Sequence, residues 1–140
     1  MYLKPFNTIG IGVTFSPNLK ANIFEAARLS QMLKAQLVLI HVGDKSTVDV
    51  ILKTSEEKQI DLLILGALQR ENFLKYYVGS IARKITRQAK CSILLLIKPS
   101  VDRIPCEHIV VNGLEDPKTK QTIASAFYVA NALSVNKVTI

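Results

Sequence analysis

Short apolar runs alternate along the chain with segments in which apolar residues recur every three or four positions. Thr8 to Val13 (TIGIGV) reads as a strand, and Pro17 to Lys34 as a helix that gathers Ile23, Ala26, Leu29 and Leu33 on one side. Ser16 ahead of Pro17 predicts an N-cap and a preorganised first turn. Leu37 to Val42 (LVLIHV) is continuous in Leu, Val and Ile, as a strand covered on both faces should be. Thr47 to Gln59 has a helical period, and Asp61 to Leu65 is a strand that runs into Gly66. A polar and aromatic stretch, Ala67 to Val78, predicts a loop ahead of Gly79-Ser80, a helix to Ala89 and a last buried strand, Cys91 to Ile97. Strand and helix in alternation, joined by short connections, predict an α/β fold. The expected form is an open parallel sheet with helices on both faces, a three-layer Rossmann-like sandwich.

The pattern then begins again. Thr8 to Ile40 aligns without a gap on His108 to Ile140, at an offset of 100 positions. Identities fall at Ile9/Ile109, Pro17/Pro117, Lys20/Lys120, Ile23/Ile123, Ala26/Ala126, Leu33/Leu133, Val38/Val138 and Ile40/Ile140, and Ser16-Pro17 is mirrored by Asp116-Pro117. A shared capped turn at one fixed offset favours duplication over coincidence of period. The expected organisation is one unit over 1–98, a linker over 99–106 (its core PSVDRIP), and the start of a second unit over 107–140. A lone strand–helix–strand leaves a sheet edge and an apolar face uncovered, so it is expected to pack on the first unit, swap with a neighbouring protomer or continue in a longer chain. A homodimer or domain-swapped oligomer is the expected assembly.

Composition narrows the class. At 140 residues, 49% hydrophobic and 21% charged, the chain is globular rather than disordered. Its uncharged apolar runs are strand-sized, well short of the ~20 residues that span a bilayer, so no membrane partner is expected. The start MYLKPFN lacks a basic-then-apolar leader pattern, which points to the cytoplasm. Cys91 and Cys106 form no CxxC pair and have no clustered His, so neither a disulfide scaffold nor a metal site is expected. With 18 Lys+Arg against 11 Asp+Glu the net charge is +7, which leaves anionic partners open.

Open parallel sheets bind ligands beyond the carboxyl ends of their strands, where the strand order reverses. Thr14-Phe15-Ser16 and the segment from Gly66 onward hold that position. Gly79-Ser80 opens a helix, where free N–H groups, a hydroxyl and the helix dipole suit a phosphate. Between Arg70 and Lys90 six basic residues face Glu71 alone, a local balance of +5. On spacing alone, a small residue at a helix start followed by a solvated basic face explains the same pattern equally well. The basic residues sit on one helix without aromatic interleaving, which favours a small anion over nucleic acid. His41 and His108 read as structural, and Phe73, Tyr76 and Tyr77 as loop or interface cover. No G-x-S-x-G elbow, H-E-x-x-H helix or full Walker loop is present, so no catalytic residue is assigned.

The stretch from Gly66 to Ile97, GALQRENFLKYYVGSIARKITRQAKCSILLLI, resembles the nucleotide loop, helix and last strand of the universal stress protein family. That family's signature is Gly, two residues, Gly, nine residues, Gly, then Ser or Thr. Gly66, Gly79 and Ser80 match with the spacing intact, while Gln69 stands at the second Gly. If that position demands a left-handed backbone, a non-Gly residue costs about 1–2 kcal/mol. The acidic residue that often follows the first strand of nucleotide-binding members is Thr14 here, and one helix–strand pair is missing after Lys45. The resemblance covers 6–98 as one unit and 107–140 as the start of another, a tandem arrangement. It implies ATP or another adenine nucleotide as ligand, with Thr14 and Val42 toward the base, Gly66, Gly79 and Ser80 toward the phosphates, and Ser16, Gln69 and Arg70 as further nucleotide-binding residues. It also implies a stress-response or signalling module that acts by binding and dimerisation rather than turnover. An adenine-nucleotide hydrolase with slow ATPase activity is the alternative.

Overall fold

The computed structural model describes residues 4–13, 18–43, 47–69, 76–77 and 79–140. Chain order is β1 (Thr8–Val13), α1 (Leu19–Met32), β2 (Gln36–His41), α2 (Thr47–Glu57), β3 (Leu62–Gly66), β4 (Leu68–Gln69), β5 (Tyr76–Tyr77), α3 (Ser80–Gln88), β6 (Ser92–Leu96), β7 (His108–Val110), α4 (Thr119–Ala132) and β8 (Lys137–Thr139). Two compact units result: Phe6–Asp102, and a second whose body is Arg103–Ile140.

In Phe6–Asp102 four strands pair in parallel in the order β2-β1-β3-β6. Ile9 pairs with Leu37 on one side and with Leu62 on the other, and Gly66 pairs with Leu96. The chain thus steps outward from β1 to β2, then returns to the opposite side of β1 for β3 and β6. All four carboxyl ends, Val13, His41, Gly66 and Leu96, lie along one edge of the sheet.

Both faces are covered, as the α/β pattern predicts. Leu63 and Leu65 of β3 join Ile40, Ile51 of α2, Ile60, and Ala82 and Ile85 of α3 in one buried cluster. Strand alternation turns Ile9, Ile11, Leu62 and Ile64 to the other face, where α1 contributes buried Ala26, Ser30 and Leu33. Gly10 is required on the first face, because a Cβ there would lie 2.4 Å from Ile60 Cδ1. At the opposite, amino edge, Asp61 locks the sheet: its carboxylate accepts from Asn7 N–H at 2.8 Å and Thr8 N–H at 3.1 Å. Its carbonyl accepts from Ser92 N–H at 3.1 Å.

Three details differ from the sequence expectation. Helix α1 begins at Leu19 with Asn18 at the N-cap, and α4 at Thr119 with Lys118 there. The Pro117 turn precedes the helix instead of forming its first turn, because Asp116 Oδ1 accepts from Lys118 N–H at 2.8 Å in an Asx turn. Ser16 and Pro17 lie outside the described residues. Second, the 67–78 stretch is not wholly loop, since β4 and β5 pair antiparallel, Leu68 with Tyr77 and Gln69 with Tyr76. Third, the first compact unit runs on to Asp102. Arg28 of α1 donates to the carbonyls of Ser100 (2.6 Å) and Val101, while Glu25 accepts from Ser100 N–H at 3.1 Å and pairs with Arg28 at 3.3 Å.

The second unit is a parallel strand pair, β7 and β8, connected through α4. Its helix spans the same positions as α1 at the offset of 100. Its strand pairing does not: Ile109 pairs with Val138, whereas Ile9 pairs with Leu37. The strand register of the repeat is therefore shifted by one residue. Val110, Leu114, Phe127 and Ile140 are all more than half exposed.

Candidate functional site

The strand order reverses between β1 and β3, and the carboxyl ends on either side of such a reversal are where open parallel sheets take a ligand. Val42 follows β2 at that edge, half-buried and packed against the core cluster. Gly66 ends β3. Gly79 is buried in an extended conformation (φ −61°, ψ 163°) as the N-cap of α3, and exposed Ser80 is the helix's first residue. Gly79 O accepts the first intrahelical bond, from Arg83 N–H at 3.0 Å. The N-cap residue Gly79 has no side chain to cap the helix, and the first-turn N–H groups of a helix have no intrahelical acceptor, so this start suits an anion.

Thr14, Ser16 and Arg70 lie outside the described residues. Gln69 belongs to β4, in extended backbone that any L-residue adopts. The left-handed conformation considered for it from sequence is therefore not what this position requires.

One residue that sequence reasoning missed joins the site. Asn22 projects from α1 in the row that continues through buried Ala26, Ser30 and Leu33. Its amide presses on the end of β3: a Cβ at Gly66 would stand 2.8 Å from Asn22 Nδ2 and 3.5 Å from Cγ and Oδ1. The Asn22 amide therefore lies beside the carboxyl end of β3. Asn22 Oδ1 is buried and, among the described residues, is the one buried side-chain N or O atom without a hydrogen-bond partner. The buried hydroxyls of Ser30 and Ser55, by contrast, are satisfied within their own helices, Ser30 on Ala27 O at 2.8 Å and Ser55 on Leu52 O at 2.7 Å. A buried acceptor left unpaired costs about 1–3 kcal/mol. The signal in the sequence is an amide four positions ahead of Ala26 in an otherwise sheet-facing row.

The electrostatics favour anions at modest strength. Arg83, Lys84 and Arg87 are exposed along α3, and Lys90 meets Glu56 at 3.2 Å. Exposed charges of this kind are screened by salt over about 8–10 Å. Among the described residues no cluster of three His, Cys, Asp or Glu side chains is arranged to hold a metal ion. No helix among them is long and apolar enough to cross a membrane. Cys91, half-buried just before β6, has its thiol pushed up from the ordinary 9.0, first by burial and further by the Asp61 carboxylate, against hydrogen bonds from its own and the Leu63 backbone.

Residues 42–96 match the model of the universal stress protein family. That span contains Val42, Gly66, Gly79 and Ser80. The fold is shared with a crystal structure of a universal stress protein in complex with cAMP, at a TM-score of 0.55 and 15% identity over 69% of this chain and 99% of that one. No curated protein matches the chain. The residues present fit an adenine nucleotide: the free N–H groups after Gly79 suit its phosphates, and the unpaired Asn22 oxygen needs a donor that its nucleoside part carries.

Proposed function

We propose that Phe6–Asp102 is a universal-stress-protein-like module that binds an adenine nucleotide across the carboxyl edge of β1 and β3. In this reading it acts in stress response by binding and self-association rather than by turnover. The observation that carries it is the start of α3, where buried Gly79 and uncapped first-turn N–H groups face the edge at which the strand order reverses. The family match over 42–96 supports the same residues. The segment 107–140 is then the opening of a second such unit, and the protein a cytoplasmic homodimer or swapped oligomer.

Thermal-shift titration with ATP, AMP and cAMP tests the site. A rising melting temperature is expected for the wild type, and no shift at millimolar nucleotide overturns the reading. Ser80→Asp is the control: exposed Ser80 tolerates the change, and an acid in the first turn suits the helix dipole while repelling phosphate. Phosphate release above that control would favour the alternative, a slow ATPase.

A further inference from the structure

The unpaired acceptor at Asn22 narrows what lies above Gly66, given the nucleotide reading of this edge. A carboxamide oxygen only accepts hydrogen bonds, and so do the oxygens of an ionised phosphate. Phosphate therefore cannot satisfy Asn22 Oδ1, whereas a hydroxyl can. Val42 stands after β2, and α3 begins after β3; with the base toward Val42, as the resemblance implies, and the phosphates toward Gly79, the sugar lies over β1 and β3. That is where the Asn22 amide presses against Gly66.

We propose that Asn22 is the specificity-determining residue of the site, its Oδ1 accepting a hydrogen bond from a sugar hydroxyl of the bound nucleotide. Asn22 as a whole is half-buried, so a side-chain rotation rather than a helix movement presents the amide to the ligand. The corresponding residue of the repeat supports the contrast. Thr122 donates its hydroxyl to Lys118 O at 3.0 Å within its own helix and leaves nothing unpaired.

The test compares wild type, Asn22→Ala and Asn22→Thr in calorimetric titrations with ATP, 2′,3′-dideoxy-ATP and tripolyphosphate. Melting temperatures of the ligand-free proteins are recorded alongside. Wild type is expected to bind ATP about tenfold more tightly than dideoxy-ATP, the worth of one hydrogen bond to a neutral group. Both variants are expected to bind ATP and dideoxy-ATP alike, at the wild-type dideoxy-ATP affinity, with tripolyphosphate binding unchanged. Ligand-free Asn22→Thr should melt no lower than wild type, since its hydroxyl finds the Asn18 carbonyl as Thr122 finds Lys118.

Variants that keep the preference for ATP overturn the proposal and leave the nucleotide site standing. Equal loss of tripolyphosphate binding also overturns it, by showing that Asn22 only holds the fold of the edge. A wild type that binds no nucleotide removes the site reading and this proposal together.

Discussion

Helices α1 and α4 end in the same way. Leu33 N–H reaches Leu29 O and Leu133 N–H reaches Val129 O, both at 2.9 Å, and the next turn closes from Ala35 to Ser30 O and from Val135 to Ala130 O, both at 2.8 Å. Lys34 and Ser134 take the left-handed conformation in between, at φ 52° and 55°. Around these matched helices the two units part. Ile9 is fully buried between α1 and the sheet, while Ile109 is half-buried and Val110 is 70% exposed. A helix terminus is a local device that carries its own hydrogen bonds. A parallel strand is not, and β1 owes its burial to β2, β3 and the helices on both sides. The offset also places Val110 where the first unit has Gly10. Gly10 leaves room for Ile60, and the repeat, with no such side chain to admit, carries a β-branched residue facing solvent.

That contrast can be broken most forcefully in the core. Ile9→Ala should destabilise Phe6–Asp102 by about 2–5 kcal/mol, and Ile109→Ala the second unit by about 1 kcal/mol, because less of its side chain is buried. Urea titrations followed by amide exchange in each unit measure both, and equal losses would show that the strands share an environment. Next in size is the exchange at position 10. Gly10→Val should cost about 1–3 kcal/mol through overpacking on Ile60, whereas Val110→Gly should cost no more than about 1 kcal/mol of backbone entropy.

The matched caps predict a matched response. Lys34→Gly and Ser134→Gly should each stabilise their own unit by about 1 kcal/mol, through relief of the left-handed strain of an L-residue. A gain confined to one unit would show that the two helix ends differ in energy despite their shared geometry. The smallest effect separates the cysteines. Exposed Cys106 should react first with a thiol reagent, and Cys91 should lag until the pH is more alkaline. The Cys91 thiol is raised in the folded state, so its contribution to stability is intact below 9.0 and is lost as pH climbs through the folded value. Unfolding midpoints at pH 8 and pH 10, compared with those of Cys91→Ala, isolate that loss.

Much of this architecture was legible in the chain. The runs TIGIGV, LVLIHV, DLLIL and CSILLLI correspond to β1, β2, β3 and β6, because doubly covered parallel strands need unbroken apolar stretches. The helices between them were legible for the same reason of period. Gly79-Ser80 opens α3 as read, since a helix start leaves a local signature. What was not legible depends on partners distant in sequence. The two-residue strands β4 and β5 are too short to show a period and exist only through each other. Helix α4 starts two residues after Pro117, because the Asx turn at Asp116 spends the Pro117 position before the helix begins. Asn22 has no signal of its own in the sequence beyond its place in the sheet-facing row, because its neighbour Gly66 lies 44 positions away. The family resemblance pointed to the glycine and not to the amide beside it.

The one-residue slip between β7 and β8 bears on how such chains can be recombined. A cassette cut from 8–40 and inserted at 108–140 would keep the helix and its caps in place. It would nonetheless bring Leu37 opposite the first strand where Val138 now stands, and so turn each side chain of the second strand to the other face. The two halves of the repeat are therefore not interchangeable parts. Any strand grafted onto β7 to complete the second sheet has to be designed to the register of Ile109 with Val138, not copied from the first.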